Sequence, residues 1–210
     1  MAEARDSEAD VADRLAVVDW RRRVASLYAA VRACGDPNEG HALWRAGRDR
    51  LFAAHRASPL PEARRRDFAG LAVAAYDPGL RFEVAVDTSV APERVEVETG
   101  TDGTVAFERF GRVDLGGVGS LDVWWLASYG GGLFVPMRDA TAGRTTYGGG
   151  RYVLDTAKGA DLGGANGRLV VDLNFAYHPS CAYDPAWACP LAPLGNVVTV
   201  EVEAGEQLPA

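Results

Sequence analysis

The sequence predicts an α+β protein, an N-terminal helical hairpin packed on an antiparallel β-barrel or β-sandwich of about eight strands. Three observations carry this. Apolar residues recur at helical spacing over the first third of the chain. From residue 80 onward they alternate with polar ones in short runs. Gly-, Pro- and Asn-rich breaks separate those runs. The predicted division is a disordered tail over 1–10, a helical region over 11–68, a β-rich region over 69–205 and a tail over 206–210. All of it forms one compact domain, since 210 residues bury a sizeable single core.

Each element follows from its local pattern. Leu15, Val18, Ala25 and Ala29, with Leu27, Tyr28 and Val31, give a broad stripe on a helix from about Val11 to Ala33. Gly35-Asp36-Pro37-Asn38 breaks it, with Asn38 the expected N-cap of a second helix from Glu39 to Arg56. Ser58-Pro59-Leu60-Pro61 ends that helix, and a short helical turn is expected from Pro61 to Phe68. Strand alternation then appears at Leu80–Val86, Val95–Val97, Val105–Phe107, Leu121–Trp125, Leu133–Met137, Tyr152–Leu154, Leu169–Leu173 and Val198–Val202. Gly100-Thr101-Asp102-Gly103 reads as a hairpin turn. Trp124 and Trp125 fall on opposite faces of one strand, so one ring is expected in the core.

Composition excludes several classes. A net charge of −7 opposes nucleic acid as a partner, since phosphate neutralisation needs a basic face. No apolar run reaches the roughly 18 residues of a membrane span. The start, Met1-Ala2-Glu3-Ala4-Arg5-Asp6, lacks a secretory hydrophobic core, so the expected location is cytoplasmic. Lys158 is the single lysine among 22 basic residues. That bias is expected of a GC-rich coding sequence and identifies no site.

Chemistry-bearing side chains concentrate in two tracts, Arg138–Tyr152 and Asp172–Asn196. Period 2 places Asp172 and Asn174 on one face of their strand, opposite Leu169, Val171 and Leu173. If that face lines a cleft, Arg138, Arg151, Asp172 and Asn174 converge there, and an Arg–Asp contact is expected. The alternative is an ion pair that fixes loops. Gly148-Gly149-Gly150 lacks the Lys-Ser/Thr of a phosphate loop and reads as turn geometry. Cys181 and Cys189 lack the Cys-x-x-Cys spacing of a zinc site, so no metal site is expected. A thiol nucleophile requires a base such as His178 beside Cys181. Pro179, Pro185, Pro190 and Pro193 favour instead a fixed loop cover, held by packing or by a disulfide. His41 and His55 are expected at the surface or at helix ends.

The tracts Arg138–Thr141, Thr146–Tyr152, Asp172–Tyr177 and Cys181–Tyr183 resemble those of domain-of-unknown-function family 1684. Ser58-Pro59-Leu60, Tyr76-Asp77-Pro78 and Tyr129-Gly130-Gly131-Gly132 extend the resemblance along nearly the whole chain. It implies a bacterial or archaeal protein and supplies neither reaction nor cofactor. Two departures stand out. His178 occupies a position where members usually carry asparagine before proline, which counts against a Cys181–His178 catalytic pair. Leu194-Gly195 replaces a more usual Pro-Glu ahead of Asn196, a residue expected to anchor its loop.

The leading expectation is a small-molecule binding module for an anionic ligand. Arg138 and Arg151 hold the anion, while Tyr147, Asp172, Asn174 and Tyr177 orient it by hydrogen bonds. The rivals are a hydrolase using Cys181 or Asp172, and a structural protein whose polar cluster only fixes loops.

Overall fold

The computed structural model describes residues 2–99 and 103–209. Helix α1 spans Ala2–Ala33, so the expected tail over 1–10 is helical backbone from Ala2 onward. Polarity suggested a tail, but Ala, Glu and Arg extend an existing helix at little cost. An Asp10–Arg14 pair at 3.0 Å supports this turn. Part of the predicted stripe is not core: Leu15 and Val18 are exposed, and burial begins further along, with Tyr28 and Val31. Helix α2 spans Pro37–Ala54 and is capped by Asp36, which accepts from the Asn38 N–H at 2.8 Å. The cap is therefore two residues earlier than Asn38, because proline at the first helical position needs no donor satisfied. A single turn, α3, follows at Glu62–Arg65.

The β-region forms two antiparallel sheets, with no closed barrel among the described residues. Strands β2 (Arg94–Thr99), β3 (Gly103–Asp114), β4 (Ser120–Leu126), β5 (Leu133–Met137) and β6 (Arg151–Asp155) lie in sequence order in the larger sheet. Strands β1 (Arg81–Ala85), β7 (Gly164–Ala165) and β8 (Arg168–Asp172) make the smaller one, in the order β1-β8-β7. Phe82 faces Val171 and Val84 faces Leu169 across β1 and β8, which sets their apolar face inward. The predicted turn at 100–103 falls largely outside the described residues.

Two expectations fail at the C-terminal end, for one reason. Val198–Val202 is not a strand, and of the tail expected over 206–210 the residues Glu206, Gln207 and Leu208 are bonded to the body through their N–H groups. The segment runs beside the end of β5, with Val198 N–H donating to the Arg138 carbonyl and Arg138 N–H to the Asn196 carbonyl, both at 2.9 Å. The Val200 and Gly205 carbonyls accept from the Ala140 and Ala74 N–H groups at 3.0 and 2.9 Å, and the carbonyls of Val202, Ala204 and Glu206 are taken by a side chain. The buried Arg151 guanidinium donates to the carbonyls of Val202, Ala204 and Glu206 and pairs with Asp139 at 3.1 Å. A guanidinium thus replaces a neighbouring strand. Glu206 itself is 1% exposed.

The main core joins Tyr28, Val31 and Trp44 of the helices to Val123, Val135 and Val171 of the sheets. Trp124 is buried with Phe107, Phe134 and Tyr152, while Trp125 is half-exposed, as the strand period predicts. Asn196 anchors its loop as expected. Its amide donates to the Asp122 and Pro136 carbonyls and accepts from the Trp124 indole, each at 2.8 Å. Gly195 is also explained. A Cβ there would lie 1.9 Å from an Asp122 carboxylate oxygen. That carboxylate is held by Arg109 at 3.0 Å and Arg112 at 2.6 Å. Among the described residues no helix is long and apolar enough to cross a membrane.

Two outcomes follow. Gly195→Ala should cost about 1–3 kcal/mol in urea denaturation, since a pinned carboxylate has nowhere to move; an unchanged midpoint would contradict that. Glu206→Ala should cost about 3–5 kcal/mol by stranding Arg48. A double Arg48→Met, Glu206→Leu variant should recover much of that loss. A single-variant cost below about 1 kcal/mol would show that the pair ties nothing.

Candidate functional site

The six residues singled out in the sequence do not form one pocket. Arg151 is spent on Asp139 and the C-terminal carbonyls. Asp172 caps the turn that follows β8, accepting from Asn174 N–H at 3.0 Å and from its amide at 2.7 Å. Asn174 in turn exchanges two 2.8 Å bonds with the Asp77 backbone. Both side chains therefore bind a neighbouring loop and not a cleft. Arg138 is exposed and donates to the Gly148 carbonyl at 3.0 Å. The glycines of that tract serve turn geometry, since Gly150 has φ +90 and a Cβ there would meet the Met137 carbonyl at 2.6 Å. Tyr147 donates its hydroxyl to the Cys181 thiol at 3.6 Å. Of the six, Tyr177 lines the chamber described next.

That chamber, about 100 Å³, lies where the helical hairpin meets the β-body. Tyr28 comes from α1, Arg48 and Phe52 from α2, Tyr152 and Asp155 from β6, and Tyr177 from the loop after β8. The lining is placed by strong local causes. Tyr152 and Tyr177 exchange backbone hydrogen bonds at 2.8 and 3.0 Å. Arg48 lies over the Trp44, Phe52 and Tyr177 rings at 5.2, 5.1 and 4.9 Å. Its far end donates to Glu206 at 2.8 Å. Glu206 also accepts from the Tyr183 hydroxyl and, at 3.1 Å, from the His178 N–H.

Two clefts open beside the chamber. One, of about 520 Å³, runs between α1 and the 180–190 loop past Val17, Trp20, Arg21 and Trp187. The other, of about 500 Å³, is walled by Phe107, Tyr129, Phe134 and the Thr156–Lys158 turn. Lys158 lines all three hollows. It stands 3.9 Å from Asp155, whose carboxylate also accepts from the Lys158 N–H at 3.3 Å. Burial pushes the Asp155 carboxyl above its usual range, against the pull of Lys158 and Arg21. Arg21, which lines both clefts, makes no hydrogen bond or ion pair among the described residues. No aspect of the sequence pattern marked this junction. The one signal available was the solitary lysine.

The histidines and cysteines also resolve. His41 is buried, not superficial: its Nε2 lies 3.0 Å from the Asn174 carbonyl and its ring stacks on Trp44. His55 is at the end of α2 as expected, bonded to Asp19 at 3.0 Å. His178 Nε2 accepts from the Tyr147 N–H at 3.1 Å, so its lone pair is not aimed at Cys181. Burial pushes the Cys189 thiol up to about 11, the reverse of an activated nucleophile. Among the described residues no His, Cys, Asp and Glu cluster could hold a metal ion.

His178 carries a pH dependence. Burial lowers its pKa from 6.5 to about 4, aided by Arg151 and Arg48 and opposed by Glu206. A depressed histidine binds its proton in the unfolded chain first, so stability is full above about 6.5 and falls as pH drops toward 4, by up to about 3 kcal/mol. Asp155 has the opposite sign, since a raised carboxyl favours the fold on the acid side. His178→Asn keeps an acceptor for the Tyr147 N–H and should flatten the acid limb in denaturation curves between pH 4 and 7. An unaltered slope would assign the limb elsewhere.

With this geometry in view, the comparisons are specific. No curated protein matches the chain. The solution NMR structure of the uncharacterized protein from gene locus rrnAC0354 of Haloarcula marismortui is 38% identical, covers 78% of this chain and 89% of its own, and superposes with a TM-score of 0.56. The model of the family described as protein of unknown function (DUF1684) matches residues 66–207, which takes in the sheets and the C-terminal segment but not the helical hairpin. The chain belongs to the DUF1684 family.

Proposed function

We propose that this chain is a cytoplasmic small-molecule binding module for an anionic ligand, and that its site is the cleft and chamber around Lys158. The observation that carries the reading is convergence: three hollows share one lysine, and Arg21, which makes no hydrogen bond or ion pair among the described residues, lines two of them. An apolar cleft with few convergent polar groups is the usual form of a ligand site. Of about 520 Å³, the outer cleft has the capacity for a small organic ligand. Tyr177 keeps the orienting role expected of it. Arg138, Tyr147, Arg151, Asp172 and Asn174 support the surrounding loops rather than touch the ligand.

The rival readings draw less support. A Cys181 hydrolase needs a base on the thiol, whereas a phenol donates to it and His178 is engaged by a backbone N–H. An Asp172 nucleophile needs a free carboxylate, and this one is bound by Asn174 and by the Tyr76 hydroxyl at 3.3 Å. A purely structural role describes Arg151, Asp172 and Asn174 well but does not account for two clefts and a chamber meeting at Lys158.

Calorimetric titration with a panel of aromatic and aliphatic carboxylates and phosphates tests the proposal. Arg21→Ala and Lys158→Ala should each weaken the best binder by about tenfold, or about 1.4 kcal/mol, without moving the melting temperature of the free protein. A panel with no binder, or affinity indifferent to both variants, would sink it.

A further inference from the structure

The charges at the junction are of both signs, and they are divided between compartments. Asp155 is nearly enclosed, its side chain 9% exposed, and it lines the chamber. Lys158 is 52% exposed and reaches both clefts, and Arg21 stands at their rim. At 3.9 Å the Asp155–Lys158 contact is too long for a hydrogen bond, so neither group is fully satisfied by the other. Arg21 also attracts this carboxylate, but without a hydrogen bond or ion pair among the described residues, so a buried carboxylate with so loose a set of partners has room for a further cation in contact. Arg48 does not serve, because Glu206 neutralises it at 2.8 Å.

Size separates the compartments further. The chamber holds about 100 Å³, room for an ammonium and its carbon when one water takes about 30 Å³, and not for an aromatic ring. The outer cleft takes the ring. Trp20 borders chamber and cleft together, and Trp187 lies in the cleft. An ammonium needs three acceptors. Asp155 supplies one, the Tyr177 hydroxyl makes no hydrogen bond among the described residues, and the Tyr28 oxygen, which accepts from Trp44 at 3.1 Å, has a lone pair left. Phe52 and Tyr152 complete the aromatic lining.

We propose, building on the anionic-ligand reading, that the occupant is a zwitterionic α-amino acid with an aromatic side chain. Its ammonium sits in the chamber at Asp155, its carboxylate meets Lys158 and Arg21, and its ring lies along Trp20 and Trp187. One carbon joins the two charges of such a ligand, which matches a site whose opposite charges are three residues apart on one turn.

The test is calorimetry on the full chain with three ligands of one body: phenylalanine, hydrocinnamate without the amine, and phenethylamine without the carboxylate. Phenylalanine should bind at least about tenfold more tightly than either. Asp155→Asn should bring phenylalanine to the level of hydrocinnamate without weakening hydrocinnamate, whose carboxylate then meets a Lys158 relieved of its acidic neighbour. Tyr177→Phe should move phenylalanine in the same direction by a smaller factor, and it stands as the check if Asp155→Asn does not fold. Hydrocinnamate binding as tightly as phenylalanine overturns the amino-acid proposal and leaves the anion site standing. Phenethylamine binding most tightly overturns both, as does binding by none of the three.

Discussion

The buried pair of Arg48 and Glu206 is the interaction on which the rest of the molecule depends. It joins α2 to the last residues of the chain, which local sequence gives no reason to meet. Desolvating two charges costs several kcal/mol per ion, so the pair holds only with further partners. Glu206 finds them in Tyr183 and in the His178 N–H, Arg48 in three aromatic faces. The network therefore fixes the second helix, the proline-rich loop and the C-terminal segment by one set of bonds. One N–H of each buried arginine, Arg48 Nε and Arg151 Nε, goes without an acceptor among the described residues.

A second arginine extends the logic. Arg151 binds the carbonyls of Val202, Ala204 and Glu206 and delivers Glu206 to Arg48. Its pKa is lowered by burial and sustained by Asp139, so the pair with Asp139 is required for the cation to stay in place. Two guanidiniums thus hold a strip of irregular backbone, Arg151 by its carbonyls and Arg48 by the Glu206 carboxylate. The chamber is the space this arrangement leaves between hairpin and sheet. Its walls are bound to the network through Arg48, His178 and Tyr183.

The site and the scaffold are separate sets of residues, although the sequence presents them mixed. Arg138, Arg151, Asp172 and Asn174 lie in dense polar tracts and carry the residue types of a binding site. They close loops because each finds a partner within its own turn or on the neighbouring segment. Arg21 and Lys158 lie in segments with no such density, and both border the two clefts beside the chamber. Polar density in sequence reports where backbone must be held. Which polar groups stay available is decided by which ones the fold leaves unpaired.

The sequence by itself determined the α+β class, the helical hairpin and most of the strands, because periods of 3.6 and 2 express which face meets the core. It also determined the turn role of Gly150 and the division of Trp124 from Trp125, since each rests on local geometry, whereas the partners that make Asn196 an anchor lie 60 to 74 residues away. It misread the two chain ends, where polarity stands in both for solvent exposure and for buried pairing. Tertiary structure alone decided that Glu206 is core, that His41 is enclosed and that Lys158 sits where three hollows meet. Those facts join residues more than a hundred positions apart, as with the 158-residue separation of Arg48 and Glu206, and no period or motif encodes such a meeting.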